Sequence, residues 1–310
     1  MGKSTRLAFG ETLAQLGESY PDIVVLDADL SKSTMSNLFA KKFPERFFEM
    51  GIQEANMIGV SAGLALSGKI AYACSFACFI TGRYDTIRIS VAYTKANVRI
   101  IGTHAGIGIG EDGTTQMGLE DVSLMRSLPN FCVCQPCDEI ETRELIKYSV
   151  KHQGPMYIRL TRQNVDKIFD DDYQFEFGKG VQLTDGSDAV IFATGALVAE
   201  SFKASKILKE KGINLRVINI HTIKPIDKEI IIKSAGECGL IFTAEDHNII
   251  GGLGSAVAEV LSENYPARIV RIGLPDVFGE SGTPEALYKK YGFDAESLAK
   301  NIEAHLKKSF

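Results

Sequence analysis

No stretch of this 310-residue chain gathers basic side chains into a block, and its formal net charge at neutral pH is −5. Nucleic acid is therefore not an expected partner. No uninterrupted apolar run has the length of a membrane span. The longest apolar region, Met57 to Ile80, contains Lys69 and many small residues, and reads as a buried helix followed by a strand. Lys3-Ser4-Thr5-Arg6 leads directly into helical spacing, with no signal-peptide core. Six cysteines without a secretory signal point to reduced thiols and a cytoplasmic setting. Three of them fall in Cys132-Val133-Cys134-Gln135-Pro136-Cys137, yet no second ligand pair stands nearby. Cys132 and Cys134 alternate as packed strand residues do, so no metal site is expected.

What the chain does have is the composition of a globular protein, 45% hydrophobic and 24% charged, with length enough for two domains. Short apolar runs alternate with helical spacing. Ile23-Val24-Val25-Leu26, Ile70 to Phe76, Val98 to Gly102 and Met156 to Leu160 read as buried strands in the first half. Ala189 to Ala193, Leu215 to Ile220, Gly239 to Thr243 and Arg268 to Ile272 follow in the second, with helices over Leu197 to Lys211 and Gly254 to Leu261 between them. The expected fold is α/β, with two doubly wound, mostly parallel sheets. The acidic, glycine-containing stretch from Asp170 to Gly186 separates them, giving domains over 1–170 and 187–310 and a linker over 171–186.

The chemistry concentrates in the first half. Gly51-Ile52-Gln53-Glu54 puts one carboxylate at the start of a helix of small and apolar residues (Gly59, Ser61, Ala62, Gly63, Ala65), expected to be buried along its length. Glu54 there either satisfies free N–H groups or partners a ring nitrogen. Asp29 and Ser33 follow the carboxyl end of the first strand, where ligands of open α/β sheets bind and where turn chemistry is equally at home. Phe76 and Phe79 share a helix face, as core or as a flat wall for a planar ring. Thr103-His104-Ala105-Gly106-Ile107-Gly108-Ile109-Gly110-Glu111-Asp112-Gly113 reads as a flexible loop whose glycines let backbone approach a ligand. It has neither the Walker nor the dinucleotide spacing. His104 and Asp112 within it are candidates for bonding a polyol, and Arg162, just past a strand end, for clamping an anion. Gly251-Gly252-Leu253-Gly254 reads as a tight helix entry. His247 in Glu245-Asp246-His247-Asn248 reads as structural or interfacial, and the second half as serving assembly.

These stretches, in this order, resemble the carboxyl-terminal half of transketolase. The most specific is Gly106 to Gly113, preceded by Thr103-His104 and followed by Arg126-Ser127-Leu128-Pro129-Asn130; Gly51 to Glu54, Asp27-Ala28-Asp29-Leu30 and Arg162-Gln163-Asn164 support it. The resemblance implies a thiamine diphosphate enzyme in which Glu54 hydrogen-bonds the aminopyrimidine N1′, favouring the imino tautomer that activates thiazolium C2. It makes Glu54 and His104 the catalytic pair. Phe76, Phe79 and Asp29 lie on the cofactor side, His104 and Asp112 contact the sugar hydroxyls, and Arg6, Ser33 and Arg162 bind its phosphate. A two-carbon ketol unit would pass from a ketose phosphate to an aldose phosphate.

Two departures carry further expectations. Full-length members have an amino-terminal domain whose Gly-Asp-Gly segment holds Mg²⁺ and the diphosphate. This chain has no Gly-Asp-Gly and no room for that domain before Thr5. The resemblance therefore implies one subunit of a split enzyme, sharing thiamine diphosphate with a separate amino-terminal subunit that binds Mg²⁺. The expected assembly is a heterotetramer with two copies of each chain. Secondly, where the family usually has a histidine in a Thr-His-Gln or Ser-His-Gln run, Thr115 is followed by Gln116 and Met117. A neutral amide is neither acid nor base, so at this substrate-binding position either Gln116 meets a different sugar or that histidine's work is done elsewhere. The β subunit of a 2-oxo acid dehydrogenase first component, a deoxyxylulose-phosphate synthase half and a non-catalytic assembly scaffold are the alternative readings.

Overall fold

The computed structural model describes residues 2–308; Met1 and the last two residues of the expected second domain lie outside them. Twelve strands form two sheets. In chain order they are β1 (Ile23–Asp27), β2 (Phe47–Glu49), β3 (Ile70–Phe76), β4 (Val98–Thr103), β5 (Cys132–Cys134), β6 (Met156–Arg159), β7 (Val181–Thr184), β8 (Ala189–Ala193), β9 (Leu215–Asn219), β10 (Thr222–Lys224), β11 (Ile241–Asn248) and β12 (Ile269–Leu274).

The first sheet has the order β10-β5-β6-β4-β3-β1-β2 and the second β12-β11-β8-β9-β7. Every pairing is parallel except β10 with β5 and β7 with β9. The wholly apolar runs lie in the sheet interiors. β1, β4, β6 and β8 are buried at every position, because helices cover both faces of a mostly parallel sheet. Val25 pairs with Tyr72 and Ile100 with Ala73, so β1, β3 and β4 end together and deliver their following loops to one edge. The expected α/β class with two mostly parallel sheets is what the chain adopts.

Three features differ from the sequence reading. The stretch expected to be a linker contains β7, an antiparallel edge strand of the second sheet. The second half also lends β10 to the first sheet, where Thr222 pairs with Cys134 and Lys224 with Val133. The two halves are thus interlocked. Lastly, the helix Glu54–Leu66 is buried on one face only. Glu54, Met57, Ile58, Ser61, Ala62 and Ala65 point inward, whereas Ala55, Gly59, Gly63 and Leu66 are exposed. A Cβ built on Gly59 or Gly63 meets nothing within 4 Å.

All six cysteines are free, and no group of His, Cys, Asp and Glu among the described residues could hold a metal. No helix of the described residues is long and apolar enough to cross a membrane. Gly252 precedes the helix Leu253–Asn264, and the buried Glu245 carboxylate accepts the N–H groups of Leu253 (2.7 Å) and Gly254 (2.8 Å). A side chain at 252 would collide with that carboxylate, which is why the entry is glycine.

Candidate active site

The parallel arrangement puts the loops after β1, β3, β4 and β6 at the carboxyl edge of the first sheet, where ligands of open α/β sheets bind. After β1 the buried carboxylate is Asp27. It accepts the Leu30 N–H at 2.7 Å and the Thr34 and Ser36 hydroxyls at 2.6 and 2.8 Å, and burial pushes its pKa up to about 6. Asp27 therefore builds the turn that holds Ser33. Asp29 is exposed, in the left-handed region with φ 62°, and its N–H donates to Glu49 Oε1 at 2.7 Å.

His104 follows β4 and is only 2% exposed. Its backbone is left-handed, with φ 59°, which turns the side chain back over the strand end. Arg6 Nη1 lies 3.2 Å from His104 Nε2 and 2.6 Å from the Ser33 carbonyl oxygen. A guanidinium only donates, so Nε2 must accept. The imidazole proton is then on Nδ1, which faces the Thr103 hydroxyl at 2.8 Å. Burial first, then Arg6 and Arg162, pull the His104 pKa down to about 3. It is a neutral imidazole at any ordinary pH.

Around it stand Arg6, the Ser33 turn, Phe76, Phe79 and Arg162, while Asp29, Glu54 and Gln116 have their contacts elsewhere. Phe76 stacks on the His104 ring at 3.7 Å between centroids and on Phe79 at 5.5 Å, so the aromatic pair and the loop histidine form one wall. Arg162 bonds the Ile109 carbonyl oxygen and pairs with Glu111 at 3.5 Å. Burial first, then the charge on Arg162, lowers the Arg6 pKa, and the exposed Asp112 opposes them. Gln116 is half-buried at the end of a short turn, and its carbonyl oxygen lies 3.2 Å from the Cys78 thiol, next to Phe79. Glu54 is 4% exposed; its ion-pair contact is Arg83 at 3.9 Å.

This donor set fits the cofactor that the resemblance implies. A shielded carboxylate whose one ion-pair partner among the described residues stands 3.9 Å away has lone pairs free for a ring N–H, and Phe79, half-buried beside Phe76, offers a flat face. Two guanidinium groups beside a neutral imidazole suit an anionic, hydroxylated ligand. The Arg6 Nε is buried with no hydrogen-bond partner among the described residues.

The glycine-rich loop departs from its expected flexibility. Residues 103–110 are all buried. The glycines permit close approach as expected, but the approaching group is Asp246, from the second half: it accepts the Ile107 N–H at 2.8 Å and the Gly108 N–H at 3.2 Å. Beneath it, buried Arg159 grips Asp121 at 2.7 and 3.1 Å and donates to the carbonyl oxygens of Gly118 and Asp246. His247 is buried in this cluster, with Nδ1 against the Asn248 carbonyl oxygen. The second half therefore contacts the loop that carries His104. Asp246 escaped sequence reasoning because it lies 139 residues from Ile107 and no local pattern marks it.

The family described as "Transketolase, pyrimidine binding domain" matches residues 1–167, and "Transketolase, C-terminal domain" matches 178–298. A protein of Methanocaldococcus jannaschii named as a transketolase C-terminal section is 49% identical over 99% of this chain and 97% of its own length. The 6-deoxy-6-sulfo-D-fructose transketolase subunit of a Clostridium species is 40% identical, over 95% of this chain and 92% of its own. Among solved structures, a split-gene transketolase described as an inactive β4 tetramer superposes with a TM-score of 0.91 at 48% identity, covering 99% of both chains. With both domain signatures in sequence order and that superposition along nearly its whole length, this chain belongs to the transketolase family.

Proposed function

We propose that this chain is the carboxyl-terminal subunit of a split transketolase. It transfers a two-carbon ketol unit from a ketose with an anionic end to an aldose of the same kind. Bound thiamine diphosphate would supply the carbon nucleophile that accepts and releases the ketol unit. This chain's part is to bind, orient and move protons. Glu54 holds a proton at the pyrimidine ring, and Phe76 and Phe79 support that ring's face. His104 accepts a hydrogen bond from a sugar hydroxyl at Nε2 without changing charge. Arg6, Arg162 and the Ser33 turn hold the anionic end, with Asp112 and Gln116 at the rim. Asp29 is assigned to the cofactor side on the resemblance alone.

The observation that carries this reading is the contact of Arg6 with His104, with Arg162 alongside. A buried imidazole and two neighbouring cations suit a sugar phosphate better than a small 2-oxo acid. Sulfonate fits the same cations, and a relative is named for a sulfonated fructose. Residues for Mg²⁺ and the diphosphate are assigned to a separate amino-terminal subunit, in a heterotetramer with two copies of each chain in the cytoplasm. The inactive β4 tetramer named for the split-gene relative supports the need for that partner.

The test is a reconstitution. This chain, co-purified with its amino-terminal partner, is assayed for transfer from xylulose 5-phosphate to ribose 5-phosphate, with and without thiamine diphosphate and Mg²⁺. Transfer is expected only in the complete mixture and not with this chain alone. Release of carbon dioxide from a 2-oxo acid, with no transfer from phosphorylated or sulfonated ketoses, overturns the reading.

A further inference from the structure

We propose that Asp246, backed by Tyr288 and Gln163, is a positioning residue for the sugar-binding loop, so that the carboxyl-terminal half sets substrate affinity. This inference rests on the function proposed above. The loop from Thr103 to Gly113 has two faces. On one stand His104 and the cations around it. On the other stands the second half of the chain, which reaches the loop backbone through Asp246.

The attachment is a three-donor site on a single carboxylate. Asp246 Oδ1 accepts the Ile107 N–H at 2.8 Å, while Oδ2 accepts the Gly108 N–H at 3.2 Å and the Tyr288 hydroxyl at 2.9 Å. The Tyr288 oxygen in turn accepts from Gln163 Nε2 at 3.0 Å. A Cβ at Gly106, which has φ 83°, would fall 2.3 Å from the Asp246 carboxylate, and one at Gly108 would fall 2.0 Å from Gln163 Nε2. Both glycines are thus required by the approach of this network. One residue further on, the Ile109 carbonyl oxygen is the acceptor for Arg162. The loop backbone is therefore held by Asp246 from behind and by an anion-binding arginine in front, across three successive residues. A shift at Ile107 and Gly108 displaces the partner of Arg162.

Buried Asp246 with three donors has no spare geometry. An asparagine there turns an N–H group toward at least one donor, leaving that donor unpaired. In the reconstituted complex, Asp246→Asn is expected to raise KM for the ketose phosphate about tenfold. The thiamine diphosphate concentration for half-maximal activity should stay unchanged, because Glu54 and the Phe76–Phe79 pair lie outside the network. Tyr288→Phe removes one of the three donors and should move KM the same way by a smaller factor. Glu245→Gln is the control, a neighbouring buried carboxylate that caps a helix entry without touching the loop: it should lower the melting temperature and leave KM alone.

A second readout needs neither partner nor substrate. In the full chain alone, the Ile107 and Gly108 amides should exchange hydrogen about tenfold faster in either variant, with protection over Leu253–Asn264 unchanged. If Asp246→Asn does not fold, Tyr288→Phe carries both measurements. Unchanged KM and unchanged exchange in folded variants overturn the proposal. So does a parallel rise in KM and in the cofactor requirement, which marks general disruption. Should the wild-type complex transfer no ketol unit, the functional reading fails by itself, and the exchange result alone decides whether Asp246 holds the loop.

Discussion

His104 is buried, stacked on Phe76 and hydrogen-bonded to Arg6, and burial above all settles its charge. With its pKa at about 3, the imidazole carries no titrating proton in the working range. Replacing it by glutamine should lower kcat/KM about 10- to 100-fold through lost hydrogen bonds, while the pH profile between about 6 and 8 keeps its shape. An inflection near neutrality that vanishes in His104→Gln would contradict this assignment. Glu54 is the complementary case, since the role proposed for it needs a carboxyl that can exchange a proton with a ring nitrogen. Glu54→Gln should reduce turnover by about 10²- to 10⁴-fold, with complex formation on size-exclusion chromatography unchanged. A scaffold would lose nothing by that change. Most residues of this cluster could be named from sequence, because each sits at a strand end or in a short motif. Asp246, Tyr288 and Gln163 could not, since their meaning exists only once two distant segments meet.

Among the elements, the long central strands were legible because a run of apolar residues can only be buried on both faces. β2, β7 and β10 were not. Strands of three or four residues at sheet edges carry too little alternation to separate them from loops. The helix Glu54–Leu66 was recognised, but its composition is small and apolar all round and gave no sign of which side stays open. Gly59 and Gly63 lie on that open side. Alanine at either position should stabilise the lone chain by about 0.5–1 kcal/mol, read as a higher melting temperature. If the partner subunit packs closely there, the same substitutions should weaken complex formation. An unchanged affinity would place the partner on another surface.

For the whole molecule, one polar hub joins the halves. Glu141 accepts from the Cys137 N–H (2.8 Å), the Tyr173 hydroxyl (3.0 Å) and Asn219 Nδ2 (2.8 Å), while neighbouring Asp138 accepts the N–H groups of Ile168 and Phe169. Desolvation pushes the wholly buried Glu141 carboxyl from 4.5 up to about 7. The folded chain then binds more protons than the unfolded chain between those values. Stability from this group is fully present below 4.5 and declines as pH rises to about 7. Asp27 acts in the same sense between 3.8 and about 6. Glu141→Gln should therefore flatten the fall in urea midpoint between about pH 5 and 7. A slope equal to that of the wild type would show that Glu141 keeps an ordinary carboxyl in the fold. The loan of β10 to the first sheet has a different consequence. Cutting the chain between residues 171 and 186 would leave Cys132–Cys134 with bare N–H and C=O groups along an apolar rim. A fragment ending there would present a template for strand addition and be expected to aggregate through it, so neither half can be studied by simple truncation.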